Sequence, residues 1–107
     1  MAFNVNVSPE AKDDMIGIYR YVAEADSTAN ADRLLAQLED ACDGLAGFPE
    51  RGNRPKELLR LGVAGYRDAH LGPYRIVYAI KGRTVVILCV ADGRRDMQTL
   101  LQKRLLQ

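Results

Sequence analysis

The 107-residue sequence has no tryptophan, one histidine, two cysteines and two phenylalanines. A single histidine, His70, excludes a mechanism that uses two histidines as acid and base. Cys42 and Cys89 stand in apolar runs without Cys-x-x-Cys or Cys/His spacing, so they read as buried reduced thiols. No apolar run is long enough to span a bilayer. The opening residues, MAFNVNV, lack the basic-then-apolar build of a secretory signal. P-loop, Rossmann and Ser/His/Asp patterns are missing too. The sequence therefore points to the cytoplasm, with no cofactor, no metal and no membrane partner.

What is present is an ordinary globular mix, 48% apolar and 27% charged. The length suits one domain, 1–107. The net charge of +1 conceals a division. Residues 1–50 hold three basic residues (Lys12, Arg20, Arg33) against ten acidic ones, a balance of −7. The remaining twelve basic and four acidic residues give the second half +8. A chain divided this way has a basic half suited to an acidic partner, nucleic acid or protein.

Phe3, Val5 and Val7 alternate with Asn4 and Asn6, the period of a half-buried strand. Ser8-Pro9 then opens a helix running to about Ala25. Asp26-Ser27-Thr28 breaks and recaps the chain. Ala31, Leu34, Leu35, Leu38, Cys42 and Leu45 form a second helical stripe, stopped by Phe48-Pro49. Residues 47–64 form a connection, with one helical turn placed at 56–61. Three strands follow: Tyr66 to Leu71, Tyr74 to Ile80 and Thr84 to Ala91. They are separated by Gly72-Pro73 and Lys81-Gly82 turns. The run VVILCVA is apolar at both parities, so the third of these strands should be central. A last helix is expected from Asp96 to Leu106. The order β-α-α-β-β-β specifies an α+β fold: a helical hairpin on one face of a mainly antiparallel sheet, plus a short C-terminal helix. The opposite face is expected to be concave, basic and functional.

The segments LGPYRIVYAI and TVVILCVADGRRD, preceded by LAGFPERGNRP, resemble the RelE/ParE toxins over residues 5–101. The resemblance implies the toxin of a type II toxin–antitoxin pair, neutralised by a cognate antitoxin and touching DNA only through it. RelE-like members cut messenger RNA on the ribosome. ParE-like members are tied to DNA gyrase. Mapped by motif, Arg67, Arg75 and Arg95 fall on phosphate-holding positions. Ala69 replaces a strand lysine and Leu101 a C-terminal tyrosine, and no Tyr or His follows Tyr78.

A phosphate cradle without its acid–base pair is a binding surface. The favoured reading is therefore a ParE-like inhibitor that binds gyrase and catalyses nothing. Arg67, Tyr74, Arg75, Arg94, Arg95, Lys103 and Arg104 are then expected to contact target or antitoxin. The alternative is a ribosome-dependent endoribonuclease using Arg67, Arg75, Arg95 and His70. A third reading is a toxin that has lost activity and serves autoregulation. Bland readings stand beside these. Arg75 can be a structural arginine paired with Asp68 or Asp96. His70, opposite in parity to Arg67, can be a rim histidine. Tyr66, Tyr74 and Tyr78 can be sheet packing. Arg94-Arg95-Asp96 can cap the last helix. Met97, Leu100, Leu101 and Leu105 form a stripe for the sheet or for a partner.

Overall fold

The computed structural model of the chain describes residues 3–106. Its elements are β1 (Asn4–Val7), α1 (Pro9–Ala25), α2 (Thr28–Gly44), α3 (Lys56–Leu59), β2 (Arg67–Leu71), β3 (Tyr74–Lys81), β4 (Thr84–Asp92) and α4 (Met97–Leu106). Local chemistry sets the helix starts. Ser8 Oγ accepts from the Ala11 amide at 3.1 Å, and Ser27 Oγ from the Asn30 amide at 3.0 Å. Asp96 does the same for α4, accepting from the Thr99 amide at 3.1 Å. Both two-residue hairpin turns contain a glycine at positive φ, Gly72 at 56° and Gly82 at 61°. Left-handed backbone of this kind is what tight hairpin turns require.

The sheet order is β1-β4-β3-β2, so the architecture is α+β. β1 runs parallel to β4, and the other pairs are antiparallel. Between β3 and β4 the register shifts: Val77 pairs with Cys89, but Tyr78 pairs with Ile87. Leu88 is the extra residue of a β-bulge. The bulge changes which parity of β4 faces which side.

One face of the sheet packs on α1 and α2. Ile76, Tyr78, Val85, Ile87 and Val90 meet Ala11, Met15, Leu38, Cys42 and Leu45 there. The other face corrects an expectation. It is not open, because α3 and α4 cover much of it. Leu58, Met97 and Leu101 close over Val77, Cys89 and Ala91. Leu101 is fully buried, and such a side chain contributes roughly 1.5–3 kcal/mol. Both thiols are buried and unpaired, and burial pushes each up to about 11. No described helix is long and apolar enough to cross a membrane.

Candidate functional site

The β2–β3 register places Asp68, His70 and Arg75 on the face that α3 and α4 cover. Arg75 is buried there between two carboxylates. Its Nη1 donates to Glu57 Oε2 at 2.8 Å and its Nη2 to Glu57 Oε1 at 2.9 Å. Nε donates to Asp68 Oδ2 at 2.8 Å, and Nη2 reaches the same oxygen. Hydrogen bonds from Arg75 hold the Glu57 carboxyl down at about 2 against an ordinary 4.5, although burial opposes this. The Arg75 guanidinium is raised in turn, chiefly by Glu57. Gln98 Nε2 donates to the Glu57 carbonyl at 3.1 Å, which ties α4 to the same cluster. Among the described residues, no buried side-chain polar atom lacks a partner.

Arg67 belongs to the opposite parity, with Ala69 and Leu71, on the hairpin side of the sheet. Its Nη1 donates to the carbonyls of Gly52 at 2.8 Å and Glu50 at 3.2 Å. The same loop is held by Tyr78, whose hydroxyl accepts from the Gly52 amide at 2.9 Å. Asn53 and Asp68 exchange two backbone hydrogen bonds, at 3.0 and 2.7 Å.

Tyr74, Arg94 and Arg95 lie elsewhere. With Ile18 and Tyr21 of α1 and Val90 of β4 they line a groove of about 610 Å³. Arg94 folds back on Asp92, with Nη2 to Oδ2 at 2.6 Å, and its hydrogen bonds hold that carboxyl at about 2. Arg95 is exposed and makes no ion pair among the described residues.

Arg104 reaches back from α4 to α1. It pairs with Asp14 at 2.9 and 3.0 Å and donates to the carbonyl of Leu88, the bulge residue, at 2.9 Å. Asp14 Oδ2 also accepts from the Val90 amide at 2.9 Å. The two side chains thus satisfy backbone groups on the edge of β4 past the end of β1. Lys103, beside Arg104, is exposed.

Residues 5–97 match a family described as the ParE toxin of the type II toxin–antitoxin system parDE. The chain belongs to that family. It is similar to Toxin ParE3 of Caulobacter vibrioides, with 31% identity over 91 residues, covering 85% of this chain and 87% of that protein. Among solved structures it resembles a chain of the chromosomal ParDE system of P. aeruginosa. The TM-score is 0.73 at 20% identity, covering 85% of this chain and 96% of the other, a likeness of fold. A chain of the RelBE2 toxin–antitoxin complex of Mycobacterium tuberculosis matches at TM-score 0.65 and 27% identity, covering 86% of this chain and 92% of that one.

In this ParE-family chain the residues considered for a nuclease do not converge. His70 and Arg75 line a cleft of about 430 Å³ with Arg54, Lys56 and Asp68. Arg95 lines the separate groove beside α1, and Arg67 lies on the other side of the sheet. His70 is exposed, with Nε2 3.7 Å from Asp68 Oδ1. Leu101 is core, and Ala69 packs at the margin of the hairpin cluster. Asp68 does meet Arg75, whereas Asp96 caps α4 instead. Sequence reasoning missed Glu57 and Asp14. Glu57 had a signal, being the single acid between Arg51 and Arg67. Asp14 had none, because it sits among the polar residues of an amphipathic helix.

Proposed function

We propose that this type II toxin arrests growth by binding DNA gyrase, without catalysis, and that its cognate antitoxin neutralises it by covering the binding residues. One observation carries the reading: the guanidinium best placed to hold a scissile phosphate, Arg75, is buried and closed by Glu57 and Asp68. Cutting RNA needs a base, a proton donor and converging positive charge. Arg67, Arg75, Arg95 and His70 occupy three different places instead. The solved relatives named above come from toxin–antitoxin systems, which supports an antitoxin partner.

Tyr74, Arg94 and Arg95 in the groove beside α1, with Lys103 on α4, are the residues we assign to binding the target or antitoxin. Arg67, Arg75 and Arg104 act through the fold, holding a loop, a buried cluster and a strand edge. Titrating the purified toxin into a gyrase supercoiling reaction tests the proposal. Supercoiling should fall with toxin concentration and return when the antitoxin is added. Activity that stays constant at saturating toxin contradicts the gyrase assignment.

A further inference from the structure

From Arg51 to Arg67 the chain carries five basic residues and one acid, Glu57. The acid is turned inward onto Arg75, and Arg67 is spent on the loop's carbonyls. Arg51, Arg54, Lys56 and Arg60 remain; Arg51, Arg54 and Arg60 are exposed, as is Lys56 at the start of α3. None of the four makes an ion pair among the described residues. Arg94 and Arg104, by contrast, each meet an aspartate. The segment bearing these cations is also held in place. The Gly52 amide is bonded to Tyr78, Asn53 to the backbone of Asp68, and α3 to Arg75 and Gln98. Arg54 and Lys56 stand with His70 at the cleft of about 430 Å³, a recess of a size to admit a phosphate group.

We propose that residues 51–60 form a phosphate-backbone binding surface through which the toxin itself holds duplex DNA. Such binding goes beyond the gyrase reading, and beyond the expectation that DNA is touched only through the antitoxin. Four cations without ion-pair partners, on a fixed segment, suit sequence-independent binding of phosphates, driven by counterion release. Recognition of splayed single-stranded bases calls for exposed aromatic platforms. Of the rings beside the segment, Phe48 lies under the Arg51 guanidinium at 5.8 Å, Tyr66 is half-buried in a recess with Arg54, and Tyr78 is fully buried. The surface is therefore built for the backbone and not for bases.

The test is fluorescence anisotropy of a labelled duplex of arbitrary sequence with the purified full-length toxin, repeated across salt concentrations. The wild type should bind, with log K falling linearly in log salt. Combining R54A, K56A and R60A should weaken binding by about tenfold or more at low salt. The slope should flatten by about 0.9 for each phosphate that is no longer neutralised. Thermal unfolding should match the wild type, because all three side chains are exposed. Arg20→Ala, at an exposed position on α1, should bind as the wild type does. Four results would overturn the proposal: no binding by the wild type, an unaltered slope in the triple variant, an equal loss in Arg20→Ala, or displacement of the duplex by polyglutamate at equal charge. The last would make this an acidic-protein surface, served by the exposed Leu59 and Leu61 nearby. Gyrase inhibition is a separate readout, so failure here leaves that reading standing.

Discussion

Glu57 and Arg75 meet as a two-point ion pair, Nη1 to Oε2 at 2.8 Å and Nη2 to Oε1 at 2.9 Å, across eighteen positions of sequence. One partner rides on a single helical turn in a long connection, and the other on β3, an interior strand of the sheet. A carboxylate in this geometry uses the same donor fork that would receive a phosphate. The pair joins α3 to the sheet, and Asp68 accepts from Nε, so one guanidinium is held between two carboxylates.

Breaking that pair should be costly. Glu57→Gln weakens two charge-assisted hydrogen bonds and leaves Asp68 as the remaining carboxylate on the buried guanidinium, and about 1.5–3 kcal/mol of stability should be lost. Urea unfolding of wild type and variant gives the difference. A loss below about 1 kcal/mol would place the pair with weak surface bridges.

The same carboxyl makes a pH prediction. Its folded value, about 2, lies below the ordinary 4.5. A group depressed on folding binds fewer protons in the native state, so its contribution is complete above the ordinary value and disappears as pH falls toward the folded one. Stability should therefore decline from about pH 4.5 toward about 2, and Glu57→Gln should flatten that limb. Circular dichroism melts across this range measure it. Parallel acid limbs in the two proteins would show that other carboxylates dominate.

Much of the fold was legible because its signals are local. Period-two and helical spacing, Ser caps and Gly turns mark β1, α1, α2 and the three later strands within a residue or two. The closure of the second sheet face was legible only in part, because the stripe of Met97, Leu100, Leu101 and Leu105 suited the sheet or a partner equally. It depends on Leu58 and Leu101 arriving from different segments onto Val77 and Cys89. The bulge at Leu88 was hidden as well, since a run apolar at both parities looks the same with or without an extra residue. For the site, Asp68 stood two residues from His70, the cross-strand neighbour of Arg75, and could be named as a partner. Glu57 lies in a connection without periodicity, so spacing could not bring it to Arg75. Separating His70 from Arg67 needed only the alternation of a strand.

Asp14 and Arg104 predict a coupling between the two ends of the chain. Asp14→Ala removes the acceptor for the Val90 amide and the partner of Arg104, and should cost about 1–3 kcal/mol. A double-mutant cycle with Arg104→Ala should return a coupling energy of about 0.5 kcal/mol or more. Strict additivity would mean that α4 is not held to α1 through this pair.

Gly52 should tolerate no side chain. A Cβ there would lie 2.5 Å from the Asp68 carbonyl oxygen and 2.8 Å from the Tyr78 hydroxyl. Both groups are buried and bonded, so Gly52→Ala should destabilise by about 1–3 kcal/mol. Gly62→Ala is a less informative control because φ there is 72°. Gly17→Ala, on α1 with open space around its Cβ, should instead be neutral or stabilising. Equal effects at Gly52 and Gly17 in chemical denaturation would contradict this steric account.

The central claim is that Arg75 is a structural arginine and that the toxin binds rather than cuts. It is tested most directly by primer extension on messenger RNA in a reconstituted translation reaction containing the wild-type toxin. The account predicts no toxin-dependent cleavage at concentrations that inhibit gyrase supercoiling. Cleavage by the wild type that disappears in Arg75→Ala, while a melt shows that variant still folded, would contradict it.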